Sequence, residues 1–469
     1  MAIKSVQMWK FGASAVVLAT MMSAVPAWAQ FIAPDATYTG RVSAAATAAN
    51  KPIVPGTEIT LSGQGFKPGQ EVIVSRGNTV LNADGAAYVA DAEGKFSSNI
   101  QLPADAVPGL HPLLLNVANP STGAVFDLKI SPDVPLSGAD KFTQVSNSLV
   151  RGLYQSAYSD ASHAIFVTSA VGRPPVKDSR LLKLDADTLE ITGEVTPAAA
   201  PARPDGTEGD VFAVYGVDVD DANGTVWVTN TRQNTIAVYK QADLSLVKQF
   251  DAGDVNHARD VVVDTANGKA YVSASGSADV AVVDTKTLEI VGNITVQSGV
   301  RGSDFSLGSL QLDAASGKLY TVSMSTNEAA IIDLKTGEVE KVFPLPGANG
   351  AIGVGYAPES NLLFVASQTS DNLLIVDAAE GKVLHNVPVG SGALNVEYDA
   401  GSKLAFVSNR GAGTVTVVDT EGNIVANLDN GSYPNHVVSD GKGHVYAINK
   451  SFGEDDAQGD RITRITPAS

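Results

Sequence analysis

The 469-residue chain contains no cysteine at all, so no disulfide framework, thiolate metal site, iron–sulfur cluster, c-type haem attachment or cysteine nucleophile can be built from it. Aromatics are scarce at 6%, and charged residues make up only 17%. The 32 Lys and Arg are outnumbered by 50 Asp and Glu, giving a formal charge of −18. An acidic body disfavours broad, sequence-independent attraction to phosphate but leaves room for a local basic patch. After the first 29 residues there is no long apolar run. What is abundant is 44% hydrophobic residues with 44 Gly and 22 Pro, enough apolar material for a large, turn-rich core.

Residues 1–29 read as an address and not as fold. Lys4 and Lys10 form a basic start, Phe11 to Pro26 is uncharged and apolar, and Ala27-Trp28-Ala29 is a small-x-small cleavage site. There is no twin arginine, which points to the Sec route. The expected location is periplasmic or secreted, with no membrane span once the signal is cleaved. Residues 30–51 are Ala/Thr-rich and read as a flexible leader.

From 52 to 132 short alternating runs such as Ile59-Thr60-Leu61-Ser62, Glu71-Val72-Ile73-Val74 and Leu113 to Val117 are separated by turn chemistry, as at Lys67-Pro68-Gly69 and Asp91-Ala92-Glu93-Gly94. This predicts a small β-sandwich, and the stretch PGTEITLSGQGFKPGQEV resembles the opening of bacterial immunoglobulin-like modules. Residues 133–140, rich in Pro and Ser, read as a linker.

Residues 141–469 repeat. An aromatic recurs within a strand motif at Phe166, Trp227, Tyr271, Tyr320, Phe364, Phe406 and Tyr446. A second apolar run follows, ending at Lys240, Asp284, Asp333, Asp377 and Asp419 in the five regular units. Each unit reads strand–turn–strand–loop–strand–turn–strand. A four-stranded sheet of about 42 residues cannot bury both faces alone, so the units must pack around an axis. Seven copies predict an all-β fold, a seven-bladed β-propeller preceded by a small Ig-like β-sandwich. The last unit holds only three strands, and Phe142-Thr143-Gln144-Val145 precedes the first unit without a partner. This early strand is expected to complete the last blade.

The units, with Y/F-V-S/T-N/S followed by V-x-V-V-D-T, resemble the YVTN-family β-propellers, including the YncE-like proteins. That resemblance implies an exported seven-bladed binding scaffold and, for one branch, single-stranded DNA binding. Related propellers include lactonases and haem-carrying domains. No family catalytic motif maps onto this chain.

The loops between second and third strands, and those between blades, carry the long insertions, at 171–180, 196–212, 297–308 and 450–461. Long loops gathered on one face of a rigid scaffold are where binding concentrates. Ligand-binding candidates there or at inner-strand entries are Arg151, Tyr154, Arg232, His257, Arg259, Arg301, Arg410, His436 and Lys450. Phe212, Tyr154 and Phe452 are the candidate stacking aromatics. No catalytic residue and no metal ligand is assigned. Glu454, Asp455, Asp456 and Asp460 supply oxygens that calcium would accept, but without the spacing of a calcium loop. The reading that results is a non-enzymatic binding protein without a cofactor, its partner a protein, a cell-envelope component or single-stranded DNA. The alternative is a lactonase-type, divalent-metal-dependent hydrolase at the channel mouth, with His257 or His436 as acid/base.

Overall fold

The computed structural model describes residues 35–202 and 206–468; the expected signal segment, Arg203 and Asp205 lie outside them. Two compact units are distinguished. The first gathers the chain up to Ser43 with Ser62–Ser97 and Pro112–Phe126; the second takes Ala44–Leu61, Ser98–His111 and everything from Asp127 onward.

In the first unit Glu71–Arg76 is the organising strand. It pairs antiparallel with Gly109–Ala118, from Glu71↔Ala118 to Ser75↔Leu114, and with the short strands Thr79–Val80 and Tyr88–Val89. Val72, Val74, Leu113, Leu115 and Val117 are buried while their neighbours alternate outward, the period-2 signature of a half-buried sheet. Arg41–Ala46, expected to be flexible leader, is instead a strand in a three-stranded sheet with Glu58–Gln64 and Phe96–Gln101. Its small side chains give no apolar alternation in the sequence, because backbone pairing holds it rather than burial of large residues.

The second unit is a β-propeller. Among the described residues it contains seven four-stranded antiparallel sheets. Their innermost strands are Leu153–Ser159, Val217–Asp220, Ala258–Asp264, Leu307–Asp313, Ala351–Ala357, Ala393–Asp399 and Pro434–Ser439. Each touches the next in circular order, and the last touches the first, so the blades surround a channel. The repeat aromatics sit on the second strands and are almost completely buried, from Phe166, Trp227, Phe364 and Phe406 at 0% exposure to Tyr271 at 4%. They belong to apolar layers between neighbouring blades, such as Trp227, Val238, Val261 and Val272.

Closure follows the sequence expectation. The seventh blade comprises Pro434–Ser439, Val445–Asn449, Arg461–Pro467 and, as its outermost strand, Phe142–Ser148. The pairing runs from Arg461↔Ser148 to Pro467↔Phe142. Early and late parts of the chain thus share one sheet, which removes two free edges. The segment expected as a linker is docked on the sixth blade: Ser137 and Asn427 exchange both backbone hydrogen bonds at 3.0 Å. Gly138 there has φ +65°, and a Cβ would lie 2.6 Å from Val425 O, so both conformation and space require glycine.

Candidate functional site: a cationic mouth

Two positions in the repeat build the mouth of the channel. The first is four residues beyond each aromatic, where the second strand ends: Ala170, Thr231, Ser275, Met324, Gln368, Arg410 and Lys450. The second lies on the inner strand, three residues before the partner of the aromatic. In the pairings Ala157↔Phe166, Asp218↔Trp227, Val262↔Tyr271 and Val438↔Tyr446 this picks out Tyr154, Tyr215, Arg259 and Asn435. The ladder slips at this point in six of the seven blades, for example between Ala258 and Asp260 and between Pro434 and His436. Such a bulge leaves a residue outside the ladder and re-aims its side chain.

Both rings converge on a cavity of about 390 Å³ lined by Tyr154, Gln155, Tyr215, Gly216, Thr231, Arg232, His257, Arg259, Ser275, Ser309, Ile352, Gln368, Leu394, Asn395, Arg410, Asn435 and His436. Of the nine sequence candidates, Tyr154, Arg232, His257, Arg259, Arg410 and His436 are in this lining. Lys450 joins them through Tyr154, its Nζ lying 3.8 Å from the ring centroid. Two candidates are elsewhere. Arg151 is exposed and pairs with Glu454 at 2.8 Å. Arg301 is exposed on the connection into the fourth blade, and the position equivalent to Arg259 there is Gly308.

The side chains are held by one another. Arg410 Nη1 donates to Asn435 Oδ1, and Asn435 Nδ2 donates to Tyr154 O at 2.6 Å. The Arg410 guanidinium also lies over Tyr433, 4.6 Å from the centroid, and Tyr433 meets Phe452 edge-on at 4.2 Å. Tyr154 and Tyr215 pack edge-on at 4.6 Å. Phe212, a proposed stacking aromatic, is 7% exposed and its carbonyl accepts from Asn230, so it serves the core.

Cations predominate at the mouth, with Asp260 acting on Arg259 and Asp460 on Lys450. None of Arg232, Arg259, Arg410 and Lys450 takes part in an ion pair among the described residues; the ion pairs lie elsewhere. Among the described residues, Arg259 Nε is buried without a hydrogen-bond partner. Burial and then Arg410 bring the Lys450 ammonium down to about 8. Burial, with Arg259 beside it, lowers His436 to about 3, and burial followed by Arg232 and Arg259 lowers His257. Both histidines therefore stay neutral near pH 7. His436 Nδ1 is 3.3 Å from Ser156 Oγ.

Below the mouth the sign reverses. Asp218 and Glu397 occupy the same level of the ring, each paired with a repeat aromatic, Trp227 and Phe406. Asp260 lies nearer the mouth, accepting from Leu310 N at 2.9 Å. They come from the second, sixth and third blades, yet Glu397 feels both Asp218 and Asp260 across the channel. Burial first, and then the neighbouring carboxylates, raise Asp218 to about 7 and Glu397 to about 8.

Among the described residues, no group of three or more His, Asp or Glu is placed to hold a metal ion. The acidic loop considered for calcium turns its oxygens on backbone amides: Asp456 accepts from Phe452 N and Gln458 N of the loop itself, and Asp460 from Ser451 N and from Gly152 N of the first blade. Arg180, read as a loop residue, lies within the strand Asp178–Asp185 and pairs with Asp178 at 2.8 Å. The sequence reading missed Tyr215, Asn435 and Gln368. Their signal was present in the fixed offsets from the repeat aromatics.

No protein-family model matches the chain, and no curated protein matches it in sequence. Solved structures do. Hydrazine synthase from Kuenenia stuttgartiensis superposes with a TM-score of 0.53 at 18% identity, over 64% of this chain and 93% of that one. Virginiamycin B lyase from Staphylococcus aureus gives a TM-score of 0.54 at 14% identity, over 70% of this chain and 100% of that one. At such identities the likeness is one of fold, and the chain is an all-β protein of β-propeller architecture.

Proposed function

We propose that this chain is an exported, non-enzymatic β-propeller binding protein whose mouth holds a small anionic ligand or the anionic end of a larger partner. The observation that carries the reading is the convergence of Arg232, Arg259 and Arg410 on one cavity, with Lys450 against its wall residue Tyr154, none of them in an ion pair among the described residues. Clustered cations destabilise one another and each loses hydration; an anion relieves both costs at once. The size of the cavity suits a carboxylate or phosphate with a few further atoms. Single-stranded DNA, implied by the resemblance to YVTN-family propellers, fits through a terminal phosphate better than through stacked bases. Tyr154 already carries Lys450 on its face and Tyr215 against it. Export rests on the pattern of residues 1–29.

Calorimetric titration with inorganic phosphate, and separately with a short 5′-phosphorylated oligodeoxynucleotide, at low and physiological salt tests the reading. Saturable binding that weakens with salt, and falls at least ~10-fold in an Arg259→Met/Arg410→Met variant, is expected. Absence of binding by either probe at low salt refutes it.

A further inference from the structure

The proposed anion site contains one cation that differs in kind from the others. We infer that Lys450 is a carbonyl-capturing amine, forming an imine with a small 2-oxo acid whose carboxylate is seated on Arg410 and Arg259. The inference rests on the anion-binding reading and adds to it the class of ligand and a covalent step.

Placement comes first. Lys450 stands four residues beyond Tyr446, the position that in other blades supplies Thr231, Ser275, Gln368 and Arg410 to the cavity lining. Arg410 is its counterpart in the adjacent blade, so guanidinium and amine sit side by side at the rim. Lys450 Nζ rests on the Tyr154 ring, and its hydrogen bond to Ala170 O is long at 3.5 Å. The acid whose charge acts on it, Asp460, accepts Gly152 N and Ser451 N on Oδ1 and makes no ion pair with it.

Other lysines show the contrast. Lys67, Lys129, Lys269, Lys318 and Lys442 each bind a carboxylate within 3 Å. Lys450 has the reverse environment, an apolar ring and a neighbouring cation, the arrangement that makes lysine a nucleophile. With the ammonium near 8 in place of its usual 10.5, roughly a tenth is neutral at pH 7, about 300-fold more than for an ordinary lysine.

The step balances without a further reactant. The neutral nitrogen adds its lone pair to the carbonyl carbon, and the carbonyl oxygen takes up a proton to give a carbinolamine. Expulsion of that oxygen as water leaves the protonated imine. Counted from the ammonium, one carbonyl is consumed, one water is released, and neither protons nor electrons are left over. The 2-oxo acid suits this geometry because its carboxylate lies one bond from the carbon attacked, so an anchor on Arg410 directs the carbonyl toward the neighbouring amine.

The test is reductive trapping. The purified protein is incubated at pH 7 with pyruvate and sodium cyanoborohydride, whose hydride converts the imine to a stable carboxyethyl-lysine, and peptides are mapped by mass spectrometry. Labelling at Lys450 at least ~10-fold faster than at the average lysine, slowed by added phosphate, supports the inference. Lys450→Arg should remove that label while the melting temperature holds. Uniform labelling of lysines in a protein that binds phosphate overturns the covalent step and leaves the anion reading standing. Uniform labelling without phosphate binding overturns both. Selective labelling that phosphate does not slow overturns the seat on Arg410 and Arg259.

Discussion

The carboxylates in the throat of the channel make stability fall as pH rises through neutrality, in a window that can be stated in advance. Glu397 titrates near 8 in the folded protein and Asp218 near 7, against about 4 in the unfolded chain. Between those limits the folded state holds a proton that the unfolded state has released. The slope of unfolding free energy with pH is set by protons bound unfolded minus protons bound folded, so it is negative. The stabilising contribution is complete below pH 4 and lost by pH 8. The lowered histidines and Lys450 tilt the curve the opposite way, mostly outside a middle window. His436, lowered to about 3, costs stability as pH falls below 6.5. Lys450, lowered to about 8, relieves a buried charge only as pH rises above 8. Between pH 6.5 and 8 each is only at the edge of its titration, and together they return less than about 1 kcal/mol. Across that interval Glu397 alone removes about 2 kcal/mol, at ~1.4 kcal/mol per pH unit, and Asp218 removes about half a kcal/mol more before it is ionised.

Urea unfolding at pH 6.5, 7.25 and 8 measures this. Wild type should lose about 2 kcal/mol net over the interval, and Glu397→Gln should flatten most of that slope. At pH 8 the Gln variant should be the more stable protein, because an amide accepts burial that a carboxylate resists. Equal slopes in the two proteins would refute the placement of Glu397 in an enclosed, carboxylate-flanked throat. A Glu397→Gln protein less stable than wild type at pH 8 would do the same.

Three further outcomes follow from the fold and the mouth. Trp227→Ala empties a fully buried site between blades and should cost about 3–5 kcal/mol in denaturant unfolding, whereas the 41%-exposed Val145 should tolerate alanine within about half a kcal/mol. Gln144→Pro/Val145→Pro removes the donors of adjacent residues in the closing strand, so one of them must face the Arg464 ladder; a stability loss of about 3 kcal/mol is expected, and an unchanged melting curve would sink closure by pairing. Gln368→Arg places another guanidinium at the ring position already used by Arg410 and should tighten phosphate binding about 3-fold or more at low salt, with the gain fading as salt rises.

How much of this was legible in the sequence can be judged residue by residue. The buried aromatics were legible because each serves the same layer between blades, and a layer repeated around a ring leaves a periodic trace. Closure was legible because strands must be paired, and a unit with one strand too few demanded the unassigned one before it. Arg41–Ala46 was not, since a strand held by backbone pairing with small, half-exposed side chains carries no hydrophobic rhythm.

The site was half legible, and the reason lies in the bulge. Arg259 and Arg301 look alike in sequence, each a cation shortly before an inner strand. Only Arg259 occupies the position where the ladder slips and the side chain turns to the axis; Arg301 falls six residues before Leu307, out on the connection. The distance that matters in a propeller is therefore the count from the residue paired with the repeat aromatic, since that count is fixed by the sheet while loop lengths are free. By that count Tyr154, Tyr215, Arg259 and Asn435 form one ring and Arg410 and Lys450 belong to a second. A chain acidic overall can then hold a concentrated positive site, because two offsets in a repeated frame, and not the bulk composition, decide what faces the axis.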